Sequence, residues 1–225
     1  MNLKQAAAHE AMNDVRSGQR LGLGTGSTAE EFVKLLGEAL RTGELRDVRC
    51  TCTSQRTEQL ARSLGVPVFT LAELAPLDLA VDGADEIDAQ LRLIKGRGGA
   101  LLREKIVEQA ASRFVVIADE SKVVQKLGVG VLPVEVTPFA REVLLERLAP
   151  FHAVERAGFI TDEGNIILDL RVPTEHDIAD LVGELRAMAG VIDTGFFPDE
   201  ASEAIIASPQ GVRRMKRPPS PPSAP

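Results

Sequence analysis

Short β-rich runs alternate with helical patterns along the first half of the chain. From Leu3 to about Ser112 the order is RLGLG, STAEEFVKLLGEAL, VRCTCTS, QRTEQLARSLG and VPVFT. The runs LDLAVDGADEID and FVVIADESK repeat the strand pattern, and each ends in acidic residues. This alternation favours a mostly parallel sheet covered by helices on both faces. The sequence therefore predicts an α/β fold with a Rossmann-like sheet.

The pattern changes after about Gly130. The later runs are LPVEV, PFAREVLLERLA, AVERAG, IILDLRV, DIADLVGELRAM and VIDTGFF. Their order is β-α-β-β-α-β, which is typical of small ferredoxin-like α+β domains. The run EAIIAS is expected to return to the main sheet as a further strand. We therefore predict a main α/β catalytic domain over 1–130 and 203–212, a small domain over 131–202, and a disordered Pro/Ser-rich tail over 213–225.

Charge and hydrophobicity limit the classes of partner. The 225-residue chain has a formal net charge of -7, which argues against a nucleic-acid-binding surface. The N-terminal run MNLKQAAAHEAMNDV lacks the apolar segment of a signal peptide, and no later run reaches membrane-spanning length. Cys50 and Cys52 lack the partner ligands of a zinc site and are interpreted as core thiols. We expect a cytoplasmic protein without a nucleic-acid or membrane partner.

The run LGLGTGSTAEEF has the composition of an anion-binding loop. Ser27 and Glu30 have the spacing of a capping box, which predicts that a helix begins there. The preceding glycines allow the amides of Thr25 to Thr28 to turn toward a ligand at the positive end of that helix. The loop matches neither the dinucleotide fingerprint nor the Walker pattern, so phosphate is the expected guest. A tight strand-to-helix turn without a ligand remains the alternative.

Two further segments carry groups suited to acid-base chemistry. The run DGADEID places Asp82 and Asp85 in a loop after a strand. Taken alone, this loop could instead bind a metal ion or cap a helix. The run KGRGGALLREK places Lys95 before a second glycine-rich turn and a helix that could carry Glu104 on its inner face. Glu104 and Lys105 taken alone would be expected at a solvent-exposed position. Only the combination of segments favours a catalytic site.

Together, the segments GLGTGSTA, DGADEID, KGRGGALLREK and IADESK resemble the signature segments of the type A ribose-5-phosphate isomerase family, in order and at compatible separations. The resemblance extends over nearly the whole chain up to the tail. It implies an aldose-ketose isomerase that interconverts D-ribose 5-phosphate and D-ribulose 5-phosphate through an enediolate, in the non-oxidative branch of the pentose phosphate pathway. One position differs, because Arg97 stands where many relatives have glycine.

The resemblance also implies roles for individual residues. Glu104 would shuttle the proton, Asp82 and Asp85 would handle sugar hydroxyl protons and ring opening, and Lys95 would support the oxyanion. Glu108, one helical turn beyond Glu104, is expected to lie outside the chemistry. The resemblance implies no metal or organic cofactor. It does imply that the protein forms a homodimer or a homotetramer. The implied substrate-binding residues are Thr25, Gly26, Ser27, Thr28, Asp82, Gly83, Ala84, Asp85, Lys95, Gly96, Arg97, Gly98, Lys122 and Lys4.

Two other functions are weighed against the isomerase. A sugar-phosphate-sensing domain of a transcription regulator would keep a phosphate turn but would need no base, so the joint presence of Asp82, Lys95 and Glu104 counts against it. An amino-sugar-phosphate deaminase or a sugar-phosphate lactonase would rely on a catalytic histidine. None of the three histidines lies in a motif of that kind.

Overall fold

The computed structural model describes residues 2–217 and contains three β-sheets with helices packed against them. The helices are α1 Leu3–Met12, α2 Ser27–Thr42, α3 Gln55–Ser63, α4 Leu71–Leu74, α5 Leu101–Gln109, α6 Arg141–Arg147 and α7 Ile178–Arg186. The strands are β1 Arg20–Leu23, β2 Arg49–Cys52, β3 Leu79–Asp82, β4 Glu86–Ile87, β5 Leu93–Ile94, β6 Phe114–Asp119, β7 Leu132–Val136, β8 Val154–Glu155, β9 Ile166–Leu170, β10 Val191–Thr194, β11 Phe196–Phe197, β12 Glu203–Ser208 and β13 Gly211–Lys216. Short 3₁₀ helices cover Glu120–Lys122, Pro138–Ala140 and Ala149–Phe151.

The main sheet has six strands in the order β13-β12-β6-β3-β1-β2. Five of them run parallel, and β13 pairs antiparallel with β12 at one edge. This arrangement confirms the mostly parallel α/β fold. Because neighbouring parallel strands end at the same edge of a sheet, β1, β3 and β6 deliver the residues that follow them to one place.

Helices cover the main sheet on both faces, as the alternating pattern predicts. One face packs against α1, α2 and α3 through small and aliphatic side chains such as Ala8, Phe32, Leu36 and Ala61. On the other face, Val107 of α5 lies so close to the sheet that a Cβ at Gly22 would be 2.6 Å from its methyl carbon. Within residues 2–217, no helix combines the length and the apolar character needed to span a membrane.

The second sheet contains four antiparallel strands in the order β10-β7-β9-β8. With α6 and α7 the chain order is β-α-β-β-α-β, as the sequence pattern predicts. After β10 the chain returns to the main sheet, where β12 pairs in parallel with β6. A third sheet, β11-β5-β4, has two-residue strands that the sequence analysis did not anticipate.

Two predicted boundaries differ from the structure. Disorder from residue 213 is wrong for 213–216, because β13 pairs with β12 through Lys216 and Arg214 contacts Glu10, Asp14 and Glu203. The rest of the predicted tail, 218–225, lies outside the described residues. The run VPVFT is not a strand and makes only an isolated bridge to β2, since Pro67 lacks the N–H donor that a ladder needs.

Candidate active site

The carboxyl ends of β1, β3 and β6 open into one cleft of about 350 Å³. All the site residues named from the sequence except Asp82 line it, and Ala29 and Asp119 line it as well. The cleft therefore lies where open α/β sheets bind their ligands. Its lining residues are Lys4, Thr25, Gly26, Ser27, Thr28, Ala29, Gly83, Ala84, Asp85, Lys95, Gly96, Arg97, Gly98, Glu104, Asp119 and Lys122.

The glycine-rich turn leads directly into α2. Gly26 precedes the helix with a φ of 120°, a conformation that side chains rarely adopt, and α2 begins at Ser27. The predicted capping box is wrong, because no side chain caps this helix and Ser27 Oγ instead accepts a hydrogen bond from Lys4 Nζ at 2.8 Å. Amides in the first turn of a helix have no intrahelical acceptor, so this end is suited to an anion. Glu30 contacts Arg56 instead of the helix cap.

Asp82 lies beneath the cleft and does not line it. Its side chain is 1% exposed, and its Oδ1 accepts hydrogen bonds from the amides of Thr25 at 2.9 Å and Gly83 at 2.6 Å. A Cβ at Gly24 would lie 2.1 Å from the Asp82 carboxyl carbon, which explains why glycine precedes Thr25. Asp82 therefore joins the turns after β1 and β3, and the structure does not place its carboxylate on the sugar-facing surface.

Hydroxyl groups hold the glycine-rich turn from its far side. Thr25 Oγ1 lies 2.7 Å from Thr53 Oγ1 and 2.8 Å from Ser54 Oγ, and Thr57 Oγ1 donates to Gly24 O at 3.0 Å. Sequence reasoning missed these residues, which follow β2. The sequence feature that could have indicated them is the run TSQRT, which lies at the carboxyl end of a predicted strand.

Lys95 is the centre of a buried cluster of charges. Its side chain is 2% exposed, and its Nζ lies 3.0 Å from Asp82 Oδ2, 3.3 Å from Glu108 Oε1 and 3.6 Å from Glu104 Oε2. The ammonium also donates to Gly83 O at 2.5 Å. Burial lowers the pKa of Lys95, but the three carboxylates outweigh it and raise that pKa above its ordinary value. Lys95 is therefore a fixed cation at the floor of the cleft.

Glu104 joins the buried cluster to the cleft. Burial raises its pKa to about 8, Lys95 opposes this rise, and the negative charges of Asp82 and Asp85 add to it. A carboxylate with a pKa near the working pH can both accept and return a proton. The arrangement can therefore support proton transfer beside a cation that stabilises an oxyanion.

Helix α5 buries polar residues on more than one side. Lys105 donates to Asp193 Oδ1 and to Thr194 O, both at 2.8 Å, so the exposed position expected for it is wrong. Glu108 is also buried, and its Oε1 lies 3.3 Å from Lys95 Nζ, so it belongs to the same buried cluster as Glu104. The cause is that α5 packs between the main sheet and the segment around β10.

Asp85 and Arg97 lie at the cleft surface. Asp85 Oδ2 accepts a hydrogen bond from the Arg97 amide at 2.9 Å, and Arg97 Nε lies 3.8 Å from Asp85 Oδ1. The Arg97 side chain lines the cleft and is 62% exposed. The backbone freedom that this turn needs comes from Gly96, whose φ is 102°.

Comparisons with known proteins agree with this geometry. The sequence model of the family described as Ribose 5-phosphate isomerase A (phosphoriboisomerase A) matches residues 49–211. A protein named Ribose-5-phosphate isomerase A from Rhizobium meliloti (strain 1021) is 48% identical over 227 residues, which cover 95% of this chain and 96% of the relative. The chain belongs to the ribose 5-phosphate isomerase A family.

Solved structures of isomerase A proteins share the whole architecture. A D-ribose-5-phosphate isomerase in complex with phospho-erythronic acid superposes with a TM-score of 0.92 at 41% identity, covering 96% of this chain and 100% of that one. The ribose 5-phosphate isomerase A of Methanocaldococcus jannaschii superposes with a TM-score of 0.89 at 40% identity, covering 95% and 98%. The fold around the cleft is thus that of the isomerase A family.

In this isomerase A chain the hairpin between β8 and β9 also supports the site. Arg156 Nη1 donates to Gly96 O at 2.9 Å and to Arg97 O at 3.1 Å, while the rest of its guanidinium pairs with Asp169. A Cβ at Gly99 would lie 2.0 Å from the Phe159 ring, so the hairpin packs directly on the second glycine-rich turn. Sequence reasoning missed both contacts because they join residues about 60 positions apart.

Residues 2–217 contain no group of three or more His, Cys, Asp or Glu side chains arranged to hold a metal ion. The carboxylates of Asp82, Glu104 and Glu108 instead each lie within 3.6 Å of the Lys95 ammonium.

Proposed function

We propose that the cleft interconverts D-ribose 5-phosphate and D-ribulose 5-phosphate by moving a proton between C1 and C2. The observation that carries this proposal is the position of Glu104, a carboxylate with a raised pKa on the cleft surface, 3.6 Å from the buried Lys95 ammonium. Membership of the isomerase A family supports the same reaction. The pathway implied is the non-oxidative branch of the pentose phosphate pathway.

The proposed chemistry needs one base and one fixed cation. Starting from the open-chain aldose, Glu104 removes the proton from C2, and the electron pair passes through the C1–C2 bond to the carbonyl oxygen. Lys95 stabilises the enediolate oxyanion that results. A proton moves between the two enediolate oxygens, and Glu104 then delivers its proton to C1. The carbon redox change is internal, so no external oxidant or reductant takes part.

The proposed substrate contacts place the phosphate at the α2 end of the cleft. The Thr25–Thr28 turn, Lys4 and Lys122 would bind it, since a helix N-terminus and two ammonium groups favour an anion. Asp85 would contact sugar hydroxyls and assist ring opening. The backbones of Gly83, Ala84, Gly96 and Gly98 and the side chain of Arg97 would complete the contact surface.

Asp82 receives a different role in this proposal from the one that the family resemblance implied. It acts as a positioning residue, because its carboxylate binds the Thr25 amide and the Lys95 ammonium beneath the cleft. We expect Asp82→Asn to weaken oxyanion stabilisation through Lys95 and not through lost contact with the sugar.

We also propose a homodimer or homotetramer in the cytoplasm. Phe139, which is 98% exposed, and Val143 form an apolar surface near α6 that association would bury. The free thiols Cys50 and Cys52 are typical of a reducing compartment. Light scattering that finds only a monomer across the working concentration range would contradict the assembly.

A coupled assay on ribose 5-phosphate tests the isomerase against the sensor. We expect ribulose 5-phosphate to form, with solvent deuterium entering C1 or C2, because exchange reports the enediolate directly. A heat-inactivated sample and Glu104→Gln serve as controls. Binding of ribose 5-phosphate without isomerisation or exchange would favour a non-catalytic sugar-phosphate-sensing domain instead.

A further inference from the structure

The buried cluster around Lys95 holds more negative than positive charge. Asp82, Glu104 and Glu108 all approach the same ammonium within 3.6 Å. If all three carboxylates were ionised, two negative charges would remain uncompensated in a region that excludes water. Burial of an unpaired charge is costly, and such groups bind a proton instead. The cluster therefore retains at least one proton under conditions in which exposed carboxylates are ionised.

We propose that Glu108 is the positioning residue that keeps this proton while Glu104 titrates at the cleft. The inference deepens the proposed isomerase function and rests on it for its kinetic test. The proton on Glu108 is not transferred to substrate. Its role is to limit the negative charge beside Lys95, so that Glu104 can act as the base and Lys95 can face the oxyanion.

Hydrogen bonding sets Asp82 apart from the two glutamates, and position relative to the cleft distinguishes Glu104 from Glu108. Asp82 accepts hydrogen bonds from two backbone amides and lies nearest to Lys95, so it has the most hydrogen-bond donors of the three carboxylates. Glu104 lines the cleft, although its side chain is only 4% exposed and its Oε2 is buried without a hydrogen bond from the described part of the chain. The Glu108 side chain is fully buried, and neither of its oxygens accepts a hydrogen bond from any group between residues 2 and 217.

The charged groups that face Glu108 come from three elements. They are Lys95 after β5, Asp82 at the end of β3, and Glu104 on its own helix. Burial raises the pKa of Glu108 well above its ordinary value, and Lys95 opposes the rise only in part. A proton on Glu108 can also be donated to Asp82, which raises the pKa further. Lys105 lies nearby over the Phe197 ring but is paired with Asp193.

A spectroscopic experiment tests the assignment without reference to activity. In carbon-13 NMR of protein labelled at the glutamate side-chain carboxyl, we expect one resonance to keep the chemical shift of a protonated carboxyl at pH 9, where Glu104, with its pKa of about 8, is mostly ionised. We expect Glu108→Gln to remove it. Glu135→Gln, which changes another buried glutamate that binds Thr161 and Asn165, should leave it in place.

The same experiment can overturn the proposal. If Glu104→Gln removed the protonated resonance, or if no glutamate of the wild type were protonated at pH 9, Glu108 would not hold the proton. If Glu108→Gln failed to fold, the spectrum of Glu104→Gln would still decide, because the Glu108 resonance must persist in it.

The pH dependence of kcat/KM supplies the kinetic test. In the wild type we expect a rising limb from ionisation of Glu104 and a falling limb from loss of the Glu108 proton. Glu108→Gln should keep the rising limb, because residue 108 is neutral there in both proteins, and should move the falling limb up by about one pH unit or more.

A merely structural role would change the amplitude of this profile and leave both limbs in place. An unchanged falling limb in Glu108→Gln would therefore contradict the proposal. If the wild type catalysed no isomerisation at all, the proposed function would fail, and the NMR experiment would still decide the protonation state of Glu108.

Discussion

At the scale of single residues, Glu104 combines burial with access to the cleft. We expect Glu104→Gln to lower kcat on the order of 100-fold or more, because the amide keeps the size of the side chain and cannot accept the proton. Substrate binding should persist, since the proposed phosphate contacts lie elsewhere in the cleft. Steady-state kinetics and equilibrium binding of ribose 5-phosphate measure the two effects separately.

Asp85→Asn and Glu184→Gln provide the comparisons for this variant. Asp85 lines the cleft, so its amide variant should also reduce turnover. Glu184 is exposed on α7, and its variant should behave as the wild type. Near wild-type turnover in Glu104→Gln would remove Glu104 from the chemistry.

Lys122 offers a second prediction at this scale. It lies on the cleft in the 3₁₀ helix after β6, where an ammonium group would attract the substrate phosphate in the ground state and the transition state alike. We expect Lys122→Ala to raise KM more than it lowers kcat. The opposite pattern in steady-state kinetics would place Lys122 in the chemical step.

The site could be predicted at this scale only in part. The motifs indicated Lys95, Glu104 and the Thr25–Thr28 turn, which the structure brings to one cleft, because their residue types and order carry the signal. The positions of Asp82 and Glu108 could not be predicted, because burial of a charged side chain depends on partners far away in sequence. The run REKIVE has no apolar stripe that would mark the buried face of α5. Glu108 and Lys105 can be buried there because they pair with Lys95 and Asp193, which are distant in sequence.

At the scale of elements, the β8–β9 hairpin fixes the second glycine-rich turn. Arg156 binds two backbone carbonyls of that turn and the Asp169 carboxylate with one planar guanidinium. Lysine cannot make this set of hydrogen bonds. We expect Arg156→Lys to lower kcat/KM by about tenfold, because small displacements of substrate-positioning groups are costly.

Arg147→Lys is the matched control for this element, since Arg147 is exposed at the end of α6. Steady-state kinetics on both variants, with circular dichroism to confirm the fold, makes the comparison. Equal kcat/KM values in Arg156→Lys and the wild type would show that the hairpin does not hold the turn in its productive position.

The elements differ in how well the sequence predicts them. The strand-helix alternation identified β1, β3, β6 and the helices between them, because hydrophobic periodicity is a local signal. It did not reveal β4, β5 and β11, whose two-residue strands are too short for periodicity. Phe196 pairs with Ile94 across about a hundred positions, so this sheet exists only through tertiary packing.

At the scale of the whole molecule, the buried glutamates link stability to pH. The folded-state pKa of Glu104 and that of Glu108 are both raised, chiefly by burial, so folding favours their protonated forms. Their contribution to the free energy of unfolding is therefore fully present at pH values below the ordinary glutamate pKa. It is lost as pH rises toward the folded-state values, which for Glu104 means about 8.

Glu108→Gln should uncouple part of this pH dependence. The amide has no proton to lose, so the variant avoids the loss of stability that the wild type undergoes as pH rises. The thermal midpoint of the variant minus that of the wild type should therefore be larger at pH 9 than at pH 6, by about 3 °C or more. Groups whose folded-state pKa is lowered, such as Asp78 beside Arg20, contribute equally in both proteins and cancel in the difference.

Thermal unfolding followed by circular dichroism at several pH values provides the measurement. Glu184→Gln, at an exposed site, is the control and should have the same midpoints as the wild type at every pH. Parallel midpoint curves for Glu108→Gln and the wild type would mean that Glu108 has the same pKa in the folded and unfolded chain, which its burial beside Glu104 and Asp82 argues against.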